Sequence, residues 1–151
     1  MSTPPSSLPT VLLVEDNKML LDVLLTVLPR LAPYHFVGVH DGITGLEQCY
    51  ALRPACIIID IMMPGLNGYQ LARALRGDAE TASIPLIILS ALAQEQEQFA
   101  GLAAGADQYL IKPVTPQLLV AAIEQAVAIS EAERVEHWQA LADMAPAHES
   151  E

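Results

Sequence analysis

Residues 56–68, which read CIIIDIMMPGLNG, decide the fold. The first four residues form an apolar run with the length of a short strand, and Asp60 follows directly. Pro64-Gly65 then marks a turn, and Asn67-Gly68 marks the start of a helix. A continuously apolar strand is typical of a parallel sheet covered on both faces, because a half-exposed strand alternates apolar and polar residues.

The same pattern repeats outward along the chain, where short apolar runs alternate with longer helical stretches. This order predicts a doubly wound α/β fold, with a five-stranded parallel sheet flanked by five helices and an extended last helix. The predicted strands are 11–14, 36–39, 56–59, 86–89 and 108–111, and the predicted helices lie near 17–31, 42–52, 67–77, 94–104 and 115–130.

The composition limits the partners that we expect. Lys and Arg total 7 and Asp and Glu total 18, so the formal net charge is −11. This charge argues against a nucleic acid footprint and against docking on anionic membranes. No signal peptide or membrane-length apolar run is visible, and Cys49 and Cys56 fit buried thiols in a reducing compartment. We therefore expect a cytoplasmic protein with no nucleic acid or membrane partner.

Three segments divide the chain. Residues 1–9 are rich in Pro and Ser and are expected to be disordered. Residues 10–129 contain all the predicted strands and form the folded domain. Residues 130–151 form a C-terminal helical extension and tail.

Polar residues follow most of the predicted strands. The residues in question are Glu15, Asp16, Asp60, Ser90 and Lys112. Ligands of open α/β sheets bind outside the carboxyl ends of the strands, so we expect these side chains to converge. Clustered carboxylates repel unless a cation lies between them, and an all-oxygen ligand set without His or Cys favours Mg²⁺ or Mn²⁺.

Asp60 is the best candidate nucleophile, because it ends the central apolar strand and precedes a loop. A carboxylate can attack phosphorus to give an acyl phosphate. The transition state spreads negative charge over three equatorial oxygens. The metal, the Lys112 ammonium and the Ser90 hydroxyl would each stabilise one of these oxygens.

These segments together resemble the receiver (CheY-like) domain of two-component response regulators, over residues 10–129. The resemblance lies in the order and placement of four motifs rather than in any one of them. The motifs are VLLVEDN at 11–17, IIDIMMPGLNG at 58–68, IILSA at 87–91 and GADQYLIKP at 105–113.

The resemblance implies a role for each acid. Asp60 accepts a phosphoryl group from a phosphohistidine on a sensor histidine kinase or a histidine phosphotransfer protein. Glu15 or Asp16, together with Asp60 and the Met62 backbone carbonyl, holds the metal. Glu15 stands where Asp is frequent in the family, so its extra methylene suggests contact through water, and Asp16 is the better direct ligand.

The resemblance also implies a switch. Lys112 contacts the phosphoryl oxygens, and its peptide bond to Pro113 is expected to be cis. Ser90 moves to bond a phosphoryl oxygen, and Tyr109 swings into the space that Ser90 leaves. Ala91 is small enough to permit this movement, and a changed surface near residues 94–112 then binds a downstream protein.

The extension contains an apolar face. Val135, Trp138 and Leu141 lie on one side of a predicted helix that runs on from Pro116 to about Met144. We expect this face to pair with a second copy in a twofold dimer. The alternative is a short helix that folds back on its own domain.

The function expected from these observations is that of a stand-alone response regulator, which is not an enzyme beyond its own phosphorylation and dephosphorylation. Output by protein binding and passage of the phosphoryl group along a relay remain open. A degenerate receiver that acts only as an interaction module would fail to label at Asp60. A phosphatase with an aspartyl nucleophile is disfavoured, because Met62 stands where such enzymes carry a general acid.

Overall fold

A computed structural model describes residues 8–129 and 131–144, without the side chains at 131, 132, 134, 137 and 138. The strands are β1 (Thr10–Val14), β2 (His35–Val39), β3 (Cys56–Ile59), β4 (Leu86–Ser90) and β5 (Gln108–Ile111). The α-helices are α1 (Lys18–Val27), α2 (Gly42–Leu52), α3 (Gly68–Arg76), α4 (Glu95–Ala103), α5 (Pro116–Ala128) and α6 (Glu131–Asp143), and a 3-10 turn (Leu28–Arg30) follows α1.

The five strands form one parallel sheet in the order β2-β1-β3-β4-β5. In this register Leu12 lies beside Ile57, and Ile58 lies beside Ile87. The order reverses between β1 and β3, so the loops after these two strands flank the crevice in which such sheets bind ligands. The predicted doubly wound α/β fold is therefore confirmed.

Apolar residues on the two faces of the sheet form two separate cores. Leu12, Ile57 and Ile88 pack on one face, under α2 and α3. Val11, Ile58 and residues of α1 and α5 pack on the other face. Burial of an Ile or Leu side chain contributes about 1.5–3 kcal/mol, so the continuous apolar strands supply much of the stability that fixes the strand ends.

Most helices begin at a side chain that accepts a backbone N–H, which explains where the chain turns from loop to helix. The N-cap residues with such a bond are Asn17, Asp41, Asn67 and Thr115. Asn67 and Gln70 form a reciprocal capping box, which fixes the start of α3 beyond the Asp60 loop. No helix among the described residues is long and apolar enough to cross a bilayer.

Arg76 and Asp107 form a buried clamp between the end of α3 and the start of β5. Arg76 Nη2 lies 3.3 Å from Asp107 Oδ2, and Arg76 Nε donates to the Gly105 carbonyl at 2.9 Å. Asp107 Oδ2 also accepts the Leu86 N–H at 2.8 Å. The clamp joins the end of α3 to the amino ends of β4 and β5, at the end of the sheet opposite to Lys112.

The expected continuation of the last helix is wrong. Helix α5 ends at Ala128, and Ile129 has extended backbone angles (φ −72°, ψ 127°). The buried face of α5 ends at Ala126, so the helix has no further core to cover. In the sequence, Ser130 and Glu133 have the spacing of a capping box, which favours a new helix start at this point.

Helix α6 folds back on its own domain and lies against α4. The predicted dimer contacts thus belong to a helix that already has a neighbour within the chain. Val135 is 44% exposed and Leu141 is half-buried, and the Trp138 side chain lies outside the described residues. The dimer through the last helix is therefore withdrawn in favour of the fold-back alternative.

Candidate functional site

Three carboxylates meet at the carboxyl ends of β1 and β3. Glu15, Asp16 and Asp60 each bring one oxygen within 4.8 Å of the others. Glu15 and Asp60 are buried, while Asp16 is exposed. The acids come together because β1 and β3 are neighbours in the sheet and both point the same way.

Lys112 reaches this cluster from the end of β5. Its Nζ lies 3.0 Å from Glu15 Oε1 and 3.4 Å from Asp60 Oδ2. The Lys112 backbone N–H donates to the Ser90 carbonyl at 2.8 Å, so the start of its loop is anchored to β4. The peptide bond between Lys112 and Pro113 is cis. The side chains of Asp16, Asp60 and Lys112 therefore converge, as the strand pattern predicts.

Burial, hydrogen bonds and neighbouring charges together set the pKa values of Glu15 and Lys112. Burial raises the pKa of Glu15, and the negative charge of Asp60 raises it further, although the Asn17 N–H and Lys112 oppose the shift. Burial by itself would lower the pKa of Lys112, but the hydrogen bond to Glu15 and the charge of Asp60 outweigh it, and the pKa is raised. Lys112 therefore stays protonated, and its single positive charge does not balance the negative charge of the neighbouring carboxylates.

The Asp60 loop is held tightly at both ends. The Asp60 N–H donates to the Val14 carbonyl at 3.0 Å, and the Met62 N–H donates to Asp60 Oδ1 at 3.3 Å. At the far end of the loop, a Cβ on Gly68 would lie 2.7 Å from the Ile61 Cα and 2.8 Å from the Asp60 carbonyl oxygen. Only glycine permits this approach of α3 to the loop, so the sequence Asn67-Gly68 helps to fix the Asp60 side chain.

The donor set fits a hydrated divalent cation. All the converging ligands are oxygen, and the exposed Asp16 leaves one side of the cluster open to water. Mg²⁺ binds one or two carboxylates and keeps several of its waters, which suits this arrangement. The negative charges of the acids exceed the single positive charge of Lys112, so a cation would relieve their repulsion.

Ser90 and Tyr109 are joined through the backbone of Leu92. Ser90 is fully buried, and its Oγ accepts the Leu92 N–H at 3.1 Å. The Tyr109 hydroxyl donates to the Leu92 carbonyl at 2.8 Å. Ala91 lies between Ser90 and Leu92 in the chain and is exposed. The two residues that were predicted to form a switch thus bind the same peptide segment.

The Tyr109 ring lies on α4. A Cβ on Gly101 would lie 2.6 Å from Tyr109 Cδ2, so the absence of a side chain at Gly101 provides the space for the ring. Tyr109 is half-buried in this position. The sequence analysis did not identify Gly101, although an isolated glycine inside a helical pattern is a signal of close packing.

Tyr69 and Glu97 are a second pair that the sequence analysis missed. The Tyr69 hydroxyl lies 3.0 Å from Glu97 Oε1 and 3.2 Å from the Glu97 carbonyl oxygen, and its one proton is shared between these acceptors. Burial and the Glu97 bond raise the pKa of Tyr69, and the nearby Tyr109 adds to this effect. No local pattern could have found the pair, because the two residues lie on different helices and meet only in the folded chain.

The comparisons with known proteins agree with this geometry. A family model described as the response regulator receiver domain matches residues 11–124. The chain is 34% identical over 116 residues to the DNA-binding dual master transcriptional regulator RpaA of Synechocystis sp.. That match covers 77% of this chain and 48% of RpaA, so the chain spans about half the length of this relative.

Solved structures share the fold. The receiver domain of the Francisella response regulator 1452 has a TM-score of 0.73 and 30% identity, over 79% of this chain and 96% of that chain. The receiver domain of the sensor histidine kinase PA1611 from Pseudomonas aeruginosa has a TM-score of 0.70 and 28% identity, over 82% of this chain and 100% of that chain. A magnesium ion is coordinated in the active site cleft of that domain.

The expectation that nucleic acid is excluded as a partner is wrong. The relative RpaA is a DNA-binding protein, and this chain matches only about half of it. The net charge of −11 describes these 151 residues. Nucleic acid binding needs a basic face only on the part of a protein that makes the contact, so the charge of a regulatory domain does not decide it.

Proposed function

Since this chain belongs to the response regulator receiver domain family, we propose that Asp60 accepts a phosphoryl group from a phosphohistidine in a Mg²⁺-dependent reaction. The observation that carries the proposal is the position of Lys112 Nζ, 3.4 Å from Asp60 Oδ2, beside three clustered carboxylates. This arrangement provides a nucleophile, a fixed ammonium and an all-oxygen cation site at one point. A sensor histidine kinase or a histidine phosphotransfer protein would supply the phosphohistidine.

The metal ligands in this proposal are Asp16, Asp60 and the Met62 backbone carbonyl, with Glu15 acting through water. Both Glu15 carboxylate oxygens already accept protein donors, from Lys112 and from the Asn17 N–H at 3.1 Å, which supports a water-mediated contact. When bound, Mg²⁺ (or Mn²⁺) supplies positive charge to the phosphoryl oxygens and to Asp60.

The transfer step is a displacement at phosphorus. An Asp60 carboxylate oxygen forms a bond to phosphorus, and the bond from phosphorus to the imidazole nitrogen breaks. The imidazole keeps the electron pair of that bond and takes up a proton. Lys112 and Ser90 bind two of the phosphoryl oxygens and stabilise the charge that develops on them.

The signal would arise from the loss of the bond between Ser90 and Leu92. A Ser90 hydroxyl that turns to a phosphoryl oxygen no longer accepts the Leu92 N–H at 3.1 Å. The carbonyl of Leu92 accepts the Tyr109 hydroxyl bond, so the tyrosine responds to the same change. Phosphorylation would therefore shift an equilibrium between two arrangements of the loop, α4 and Tyr109. The chain would turn over no other substrate.

The test is intact-mass measurement after incubation with acetyl phosphate and Mg²⁺. Wild-type protein should gain one phosphoryl group, and Asp60→Asn should gain none. Asp22→Asn, which changes an exposed acid on α1, is the matched control and should label like wild type. Equal labelling of Asp60→Asn and wild type would assign the acceptor elsewhere, and no labelling of any variant would favour a degenerate interaction module.

A stand-alone regulator in the cytoplasm, which signals by protein binding, stays a prediction. The chain spans about half of the relative RpaA, which is itself a DNA-binding protein. The mass of the protein in its native cells distinguishes a stand-alone regulator from a receiver domain joined to an output domain. A mass that matches 151 residues supports a stand-alone regulator, and a mass larger by a further domain of about 100 residues supports an added output domain.

A further inference from the structure

Helix α4 is weakly held by the core. Of its nine described residues, Gly101 is the one that is buried, and the N-cap residue Gln94 makes no side-chain cap bond. Five more of its residues are half-buried and α6 lies against it, so α4 is held by partly exposed contacts rather than by a deeply buried face. The contacts that remain therefore have a large influence on where α4 lies.

Tyr69 provides one of these contacts. It lies in the first turn of α3, directly after the Asp60 loop, and Glu97 lies in the first turn of α4. The single proton of the Tyr69 hydroxyl is shared between the side chain and the backbone carbonyl of Glu97, at 3.0 and 3.2 Å. A partly buried hydroxyl with two acceptors joins α3 to α4 across the loop that carries Leu92.

The loop from Ser90 to α4 is short, so a change at Ser90 is passed to the start of the helix. Leu92 is bound to Ser90 through its N–H and to Tyr109 through its carbonyl. If Ser90 turns to a phosphoryl oxygen, the Leu92 N–H loses its acceptor and the loop must rearrange. The bond between Tyr69 and Glu97 resists this rearrangement, because it fixes the helix at the other end of the loop.

We propose that Tyr69 is a positioning residue that holds α4 in its unphosphorylated arrangement and thereby lowers the affinity of Asp60 for a phosphoryl group. The inference rests on the proposed function of Asp60. A contact that favours one state makes the other state less populated. A ligand that binds the less populated state then binds more weakly, by the same factor. Because the coupling is reciprocal, the effect of Tyr69 is measurable at Asp60.

The experiment compares wild type with Tyr69→Phe in titrations with beryllofluoride and Mg²⁺, a tetrahedral analogue of a carboxylate-bound phosphoryl group. The variant keeps the ring and loses the hydroxyl. We expect about fivefold tighter binding of beryllofluoride, the factor that one net hydrogen bond contributes to an equilibrium constant. Amide hydrogen exchange in α4 should also be faster in the variant before beryllofluoride is added.

The matched control is Tyr50→Phe. Tyr50 also donates its hydroxyl to an acid, Asp78, but on an exposed surface between the end of α2 and the end of α3. Its loss should leave the beryllofluoride affinity unchanged. A second variant, Glu97→Ala, removes one of the two acceptors of Tyr69 and should tighten binding by a smaller factor, which tests the proposal if Tyr69→Phe does not fold.

An unchanged beryllofluoride affinity in folded Tyr69→Phe, with α4 exchange equal to that of wild type, would overturn the proposal. The same holds if Tyr50→Phe shifts the affinity as much as Tyr69→Phe does. Failure of the proposed function gives a different result, because wild type itself would then bind no beryllofluoride and Asp60 would not label with acetyl phosphate.

Discussion

The Tyr109 hydroxyl donates a 2.8 Å hydrogen bond to the backbone carbonyl of Leu92. The Leu92 N–H donates to Ser90 Oγ, so the backbone of Leu92 connects the hydroxyl at the end of β4 to the aromatic ring on α4. Neither bond needs the Leu92 side chain, so the connection depends on backbone geometry. The predictions that follow concern this connection and the acidic cluster that it serves.

Gly101→Ala should destabilise the protein and displace the Tyr109 ring. The new Cβ would lie 2.6 Å from Tyr109 Cδ2, and overpacking of this kind costs about 1–3 kcal/mol. Alanine regains about 1 kcal/mol through helix propensity, so the net loss in the free energy of unfolding is up to about 2 kcal/mol. Denaturant unfolding measures it. Gly77→Ala is the control, because its Cβ would have 3.3 Å to the nearest atom, and an equal loss in both variants would contradict the prediction.

Lys112→Met should slow labelling of Asp60 by acetyl phosphate about a hundredfold, the usual cost of removing one donor to a developing oxyanion. Methionine keeps much of the length of the side chain and removes the ammonium that lies 3.4 Å from Asp60 Oδ2. The rate is measured by intact mass at saturating Mg²⁺. Lys18→Met changes an exposed lysine at the start of α1 and should label at the wild-type rate. A rate for Lys112→Met close to wild type would remove Lys112 from the reaction.

Glu15→Gln should be more stable than wild type at pH 7 when divalent cations are chelated. The pKa of Glu15 is raised from its ordinary value of 4.5, mainly by burial, so folding disfavours the ionised carboxylate. The contribution of Glu15 to stability is therefore lost as the pH rises from 4.5 through the folded-state pKa. Denaturant unfolding should show the difference at pH 7 and no difference below pH 4.5, where Glu15 is protonated in both states. A less stable variant at pH 7 would show that the bond to Lys112 outweighs burial.

Mg²⁺ should raise the thermal unfolding temperature. A cation at about 100 times its Kd stabilises the folded state by about 2.7 kcal/mol if it does not bind the unfolded chain. Asp16→Asn should lose much of this effect, because Asp16 is the exposed member of the cluster and one of the proposed direct ligands. NaCl at matched ionic strength is the control for screening. Equal stabilisation by NaCl and MgCl₂ would argue against a specific site.

The strand pattern predicted most of the fold. Runs such as Cys56–Ile59 are continuously apolar because their strands are covered on both faces, and local sequence records that burial directly. The residues that follow these runs, Asp60 among them, could then be assigned to one rim. The end of α5 was missed, because the loss of a buried face after Ala126 depends on what the helix packs against. The charge argument failed for a different reason, because the net charge of these residues does not decide nucleic acid binding when the DNA-binding relative is about twice as long as the matched region.

By itself, the sequence determined which residues end the strands and that three acids and a lysine would meet, because parallel strands in register place their carboxyl ends at one edge. Only the tertiary structure decided which of these groups pair. Lys112 lies nearer to Glu15 than to Asp60, and Tyr69 bonds Glu97 on another helix. Such pairings depend on side-chain reach between elements that are distant in the chain, and strand order and periodicity do not contain that information.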